Sequence, residues 1–238
     1  NGMLEPGSPE WRHFEDRYMK VVERAGGKGT DKAREYMTGL SHMLGEVVHE
    51  HQVAPRDVLG RLFHAAELHN KYAGQFFTPD SVMRMMAMMQ LDQDEVRRTI
   101  DERGYVTFQE PACGAGGMII HAAEVMREMG FDPAIHMAAE LRDVDAKAAK
   151  MAFIQTTAAG IPARIITGNT LSGDPSQSCR EMIPTSALSH FMLHHGHCPF
   201  TGRAIEGARA AADEVPGPGL HDPDTAAGLR MMRDAAEQ

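Results

Sequence analysis

The run Cys113-Gly114-Ala115-Gly116-Gly117 follows an acidic side chain, Glu110, that closes the short segment Val106-Thr107-Phe108-Gln109. Small residues there let backbone N–H groups approach a ligand closely, and a helix starting just after them turns its positive end toward negative charge. Pro111 and Ala112 complete the turn. A dinucleotide fingerprint would need a third glycine, but Ile119 stands at that position after Gly114 and Gly116, which weakens a nicotinamide reading. Further along, Asp143 with Val144 ends a second apolar segment, where a carboxylate can accept hydrogen bonds from both ribose hydroxyls. Glu140 is the runner-up for that task but falls inside the segment. Gly168-Asn169-Thr170-Leu171 follows a third segment and offers an amide suited to adenine. Together these groups fit a nucleoside.

Gln75-Phe76-Phe77-Thr78-Pro79 precedes another helical run, with Pro79 and Asp80 at its start. His190, His194, His195, His197 and Cys198 crowd one stretch, yet their spacing matches no trusted zinc pattern, so no metal site is expected. Cys113 has no identifiable partner base; packing beside a ligand is its plainer role.

The elements that must position these residues read as an alternation. Val106 to Glu110 is a strand, about Met118 to Met129 a helix, Ile135 to Leu141 a strand, Val144 to Ala159 a helix and Ala163 to Thr167 a strand. That rhythm predicts a Rossmann-like α/β sheet with parallel strands. Asp80 to Met89 is a helix whose methionines, Met83, Met85, Met86, Met88 and Met89, are expected to pack in the core. Residues 3–73 form a helical N-terminal region, broken at Gly26-Gly27-Lys28-Gly29 and at Ala54-Pro55, with Thr30 and Asp31 as caps. Residues 74–200 form the ligand-binding domain, and 201–238 an Ala/Gly/Pro-rich tail with a helix expected near Gly202 to Ala212. Past Asp174 the pattern weakens; Phe191-Met192-Leu193 reads as one more strand, and the sheet looks truncated.

The 238 residues are 42% hydrophobic, enough for one sizeable core. No apolar run is long enough for a membrane span, and three cysteines without paired spacing suggest a reducing, cytoplasmic setting. With 24 Lys and Arg against 33 Asp and Glu, the net charge is −9, which counts against strong autonomous nucleic-acid binding.

Taken together, Gly74 to Pro79, Glu110 to Gly117, Asp143 with Ala152 and Gln155, Gly160-Ile161 and Gly168 to Leu171 resemble the N6-adenine DNA methyltransferases of the kind found as modification subunits of Type I restriction systems. The resemblance implies S-adenosylmethionine as cofactor. It assigns Phe77 and Thr78 to a loop over the methionine end, with Thr78 on the carboxylate. Glu110, Pro111, Ala112, Cys113, Gly114, Gly116 and Gly117 surround the methionine amine and carboxylate, Asp143 meets the ribose and Asn169 the adenine, with Val144 and Leu171 also among the cofactor-binding residues. The family's catalytic Asn/Asp-Pro-Pro-Tyr/Phe motif does not occur in the sequence. Its nearest counterpart is His197-Cys198-Pro199-Phe200, which implies His197 and Phe200 as catalytic residues handling a flipped-out base. Two functions follow as expectations: methyl transfer to adenine N6 in DNA, or a non-catalytic, cofactor-binding regulatory or scaffold subunit of a DNA modification system. The expected partners are DNA, reached through a partner subunit, and a second copy or a specificity subunit.

Overall fold

The architecture is that of a computed structural model describing residues 9–53, 56–66, 78–172, 180–183 and 185–204. Two helices come first, α1 (Pro9–Arg24) and α2 (Asp31–Val53). Thr30 Oγ1 accepts from Ala33 N at 3.1 Å and so caps α2, while Val22, Ala25 and Ala33 close a small core between the two helices. Helix α3 (Val58–Ala65) begins at Asp57, and α4 (Asp80–Gln90) at Pro79. Helix α5 (Gln93–Arg103) carries both of its signals in the sequence: Asp92 accepts from Glu95 N at its start, and Gly104 ends it at φ 86°.

The sheet contains β1 (Val106–Glu110), β2 (Met137–Asp143), β3 (Ala163–Thr167) and β4 (Arg180–Met182), in that spatial order. β1, β2 and β3 are parallel, and β4 runs antiparallel to β3. Helix α6 (Gly117–Glu128) and the single turn α7 (Pro133–His136) connect β1 to β2; α8 (Ala146–Ala158) connects β2 to β3. Helices α6 and α8 touch, so both crossovers cover the same face of the sheet. The strand register puts Phe108, Ala139 and Ala163 in one row and Leu141, Ile165 and Met182 in another. These pack with Ile120, Ala123 and Met126 of α6 and Ala149 and Ala152 of α8 into the main core. The opposite face carries Gln109, Glu140 and Arg164, with Arg164 bonded to Glu140 at 3.5 Å and to Glu181 of β4 at 3.0 Å. Among the described residues this is therefore a mixed α/β fold on a four-stranded open sheet, with α6 and α8 on one face and, on the other, the Gln109, Glu140 and Arg164 row beside buried Ala138 and Ile166.

Three sequence expectations are corrected. Phe191-Met192-Leu193 is not a strand but part of helix α9 (Thr185–His195), because Ala187 and Phe191, four residues apart, are the positions buried. The second strand starts at Met137 rather than Ile135, since Asp132 caps a turn with Pro133 at its first position. Of the methionine run, only Met83 is buried; Met85, Met86, Met88 and Met89 are exposed, since α4 lays a single face on α6. The helix expected near Gly202 to Ala212 lies almost wholly outside the described residues.

Candidate functional site

The carboxyl ends of β1, β2 and β3 bring Glu110, Asp143 and the segment after Thr167 to one edge of the sheet. Backbone bonds lash the three connections together: Cys113 N donates to the Arg142 carbonyl at 2.8 Å, and Gly168 N to the Asp143 carbonyl at 2.8 Å. The Thr170 hydroxyl donates to the Pro111 carbonyl at 2.6 Å. Asp143 is the node of this edge. Its Oδ2 accepts from Gly114 N and its Oδ1 from Asp145 N, each at 2.8 Å. A carboxylate has about four lone-pair sites, so it can hold the turn and still accept a hydroxyl from a ligand.

Gly114 and Gly116 both take positive φ, 55° and 89°. At Gly116 a Cβ would come within 3.3 Å of Ala152, so the turn lies flat against α8. Gly116 also starts α6 without any side-chain cap, which leaves the first-turn amides of that helix without a side-chain acceptor. Glu110 folds back toward the turn, accepting from Ala112 N at 3.4 Å. Cys113 is buried, and that burial, with the Asp143 and Glu110 carboxylates adding to it, pushes its thiol up to about 12. It is an uncharged wall of the site rather than a nucleophile.

Around this node Val144 is 74% exposed and Leu171 93% exposed, two apolar side chains standing in the open beside the acid. Asn169 Oδ1 accepts from Leu171 N at 2.9 Å, which shapes the third connection and occupies one of its lone pairs. From the other side α4 lies on α6, with Met83 against Gly117 and Asp80 Oδ1 3.5 Å from His121 Nε2; Thr78 and Pro79 directly precede that helix. Phe77, Gln75 and Phe76 lie outside the described residues. Glu140, the runner-up acid, is engaged by Arg164 on the charged face of the sheet, away from this edge.

His197 and Phe200 are not brought to this edge. His197 Nε2 lies 3.5 Å from the Tyr105 hydroxyl, immediately before β1 opens, whereas Glu110 closes that strand. At about 3.3 Å per residue, the five-residue strand separates its ends by roughly 13 Å. Phe200 belongs to the same turn, in which Cys198 N donates to the Arg203 carbonyl at 2.9 Å. The histidines instead form a stack at the foot of the sheet: His195 Nε2 donates to the Ile135 carbonyl at 2.8 Å, and its ring lies 4.3 Å from that of Phe191. Among the described residues, no group of three or more His, Cys, Asp or Glu is arranged to hold a metal ion, and no helix is long and apolar enough to cross a membrane.

Beneath the turn lies a buried polar pair, Asp57 and Gln155, of which Gln155 is among the residues that carry the family resemblance and Asp57 is not. Gln155 Nε2 donates to Asp57 Oδ1 and to the Ala115 carbonyl. The signal for Asp57 is its place as an N-cap; for Gln155 it is a long amide inside a run of alanines.

The family model described as N-6 DNA methylase matches residues 56–189, more than half of the chain. No curated protein and no solved structure matches it.

Proposed function

The chain belongs to the N-6 DNA methylase family, and from that premise we propose that the edge built by Glu110 to Gly117, Asp143 and Asn169 binds S-adenosylmethionine for methyl transfer to adenine N6 in DNA. The observation that carries this reading is Asp143 joined to the glycine turn through Gly114 N, which sets a ribose acceptor beside uncapped helix amides. The donor set suits the ligand. Thr78 and the α6 amides would meet the methionine carboxylate, and Glu110 its ammonium group. Asp143 would hold the ribose hydroxyls, while Asn169, Val144 and Leu171 would bracket the adenine. The bound cofactor supplies an electrophilic methyl group; the protein orients it and keeps its charged end between Glu110 and the helix.

Base handling is the second half of the proposal. With a net charge of −9, the chain reaches DNA through a partner subunit in a restriction-modification assembly. The outer edge of β1 is unpaired among the described residues and sits next to the cofactor turn, which supports a homodimer or specificity subunit there. A second reading, a cofactor-binding regulatory or scaffold subunit, takes its motive from the placement of His197 and Phe200 at the far end of β1. Transfer of labelled methyl groups to DNA decides between them. Incorporation, abolished by Asp143→Ala, supports the enzyme; cofactor binding without incorporation, alone or with the partner, supports the scaffold.

A further inference from the structure

Gln155 is 0% exposed and sits on α8, where its neighbours toward the sheet are alanines. It uses both ends of its amide: Nε2 donates to Asp57 Oδ1 at 2.8 Å and to the Ala115 carbonyl at 2.7 Å, and Oε1 accepts from Leu59 N at 2.9 Å. Asp57, 2% exposed, also accepts from Gly60 N at 2.8 Å and so caps α3. A Cβ on Gly117 would stand 2.9 Å from Asp57 Oδ2 and 2.6 Å from Met83 Sδ, so the first residue of α6 is pressed onto the same pair.

We propose that Gln155 and Asp57 are positioning residues for the cofactor, holding the Cys113 to Gly117 turn in its ligand-facing conformation and coupling it to helix α3. The proposal rests on the reading of that turn as the S-adenosylmethionine site. A turn with three glycines has many conformations in reach, and binding is weakened by every one the ligand must exclude. One buried amide removes that freedom, because moving the turn would strand the Ala115 carbonyl and one of the two Gln155 Nε2 hydrogens in a dry interior, while Leu59 N and Asp57 hold the amide in place. The contact needs an acceptor at Asp57 rather than a charge. Burial, first among the causes, raises the pKa of this carboxyl, with Asp80 adding to the effect and Gln155, Gly60 N and His121 opposing it. An asparagine amide oxygen can accept the same two bonds.

Equilibrium dialysis of labelled S-adenosylmethionine against the full chain tests this, with circular dichroism to establish the fold of each variant. Gln155→Leu is expected to bind about tenfold more weakly or worse, the equivalent of one or two hydrogen bonds. Asp57→Ala should lose as much, while Asp57→Asn stays within about threefold of the parent protein. A folded Gln155→Leu that binds as tightly as the parent overturns the proposal, and so does Asp57→Asn as weak as Asp57→Ala. If Gln155→Leu fails to fold, the Asp57 pair decides on the same terms. A parent chain that binds no S-adenosylmethionine overturns the functional reading beneath it, an outcome distinct from the others.

Discussion

At the residue scale, the site depends on a few positions where chemistry and backbone conformation coincide. Gly116 at φ 89°, with Ala152 close behind it, admits no side chain without strain. Gly116→Ala is expected to destabilise the protein by about 1–2 kcal/mol, the cost of a left-handed residue with a Cβ, and urea unfolding measures it. Cys113 makes a second prediction, from its thiol held near 12. The group stays protonated at pH 8, so iodoacetamide should leave Cys113 unmodified in the folded protein and modify it after denaturation, as read by mass spectrometry. Glu110, the glycines and Asp143 were legible in the sequence because turn chemistry and the strand ending before it are local properties. The partnership of Asp57 with Gln155 was not, since 98 positions separate them and only tertiary packing brings them together. His197 was drawn into the site by a sequence likeness to a motif; the course of the chain carries it to the other end of β1 instead.

At the element scale, β1 and β3 were visible to the residue because each is a short run rich in β-branched and aromatic residues that stops at Glu110 or before Gly168. Helix α9 was misread, since three apolar residues in succession carry no period, and the burial of Ala187 and Phe191 one turn apart settles its type. This helix docks through aromatic contacts, with Phe191 packed edge-on at 4.9 Å against Tyr105. Phe191→Ala should cost about 3–5 kcal/mol, the usual range for a buried aromatic truncation, seen as a lower urea midpoint. Its neighbours His195 and His136 have pKa values lowered below the ordinary 6.5, chiefly by burial and then by the charge of His194 among others, against opposing backbone hydrogen bonds. The unfolded chain therefore binds more protons than the folded one as pH falls through 6.5. Stability is fully present above that value and declines below it. Thermal melts between pH 5 and 8 should show this decline, and His195→Gln should flatten it.

At the scale of the whole molecule, the parallel α/β rhythm was legible, but the placement of both crossovers on one face was not. Both crossovers lie on the same face, and the charged row Glu140, Arg164 and Glu181 occupies the other. Ala138 and Ile166 are buried on that second face, so apolar side chains stand on both sides of β2 and β3 and alternation does not tell which side the crossovers cover. The acidic balance of the chain, −9, sets its relation to DNA. Alone it should bind duplex DNA weakly and lose that binding as salt rises, which fluorescence anisotropy between 50 and 200 mM salt, about the range over which phosphate contacts are screened, will show. Function rests above all on the proposed nucleoside site at the ends of β1, β2 and β3. Isothermal titration of S-adenosylmethionine and, separately, of NAD into the chain and its Asp143→Ala variant tests it most directly. The predicted result is saturable heat with S-adenosylmethionine, at least about tenfold weaker binding in the variant, and none with NAD. Heat with NAD but none with S-adenosylmethionine, or binding unchanged by Asp143→Ala, would contradict it.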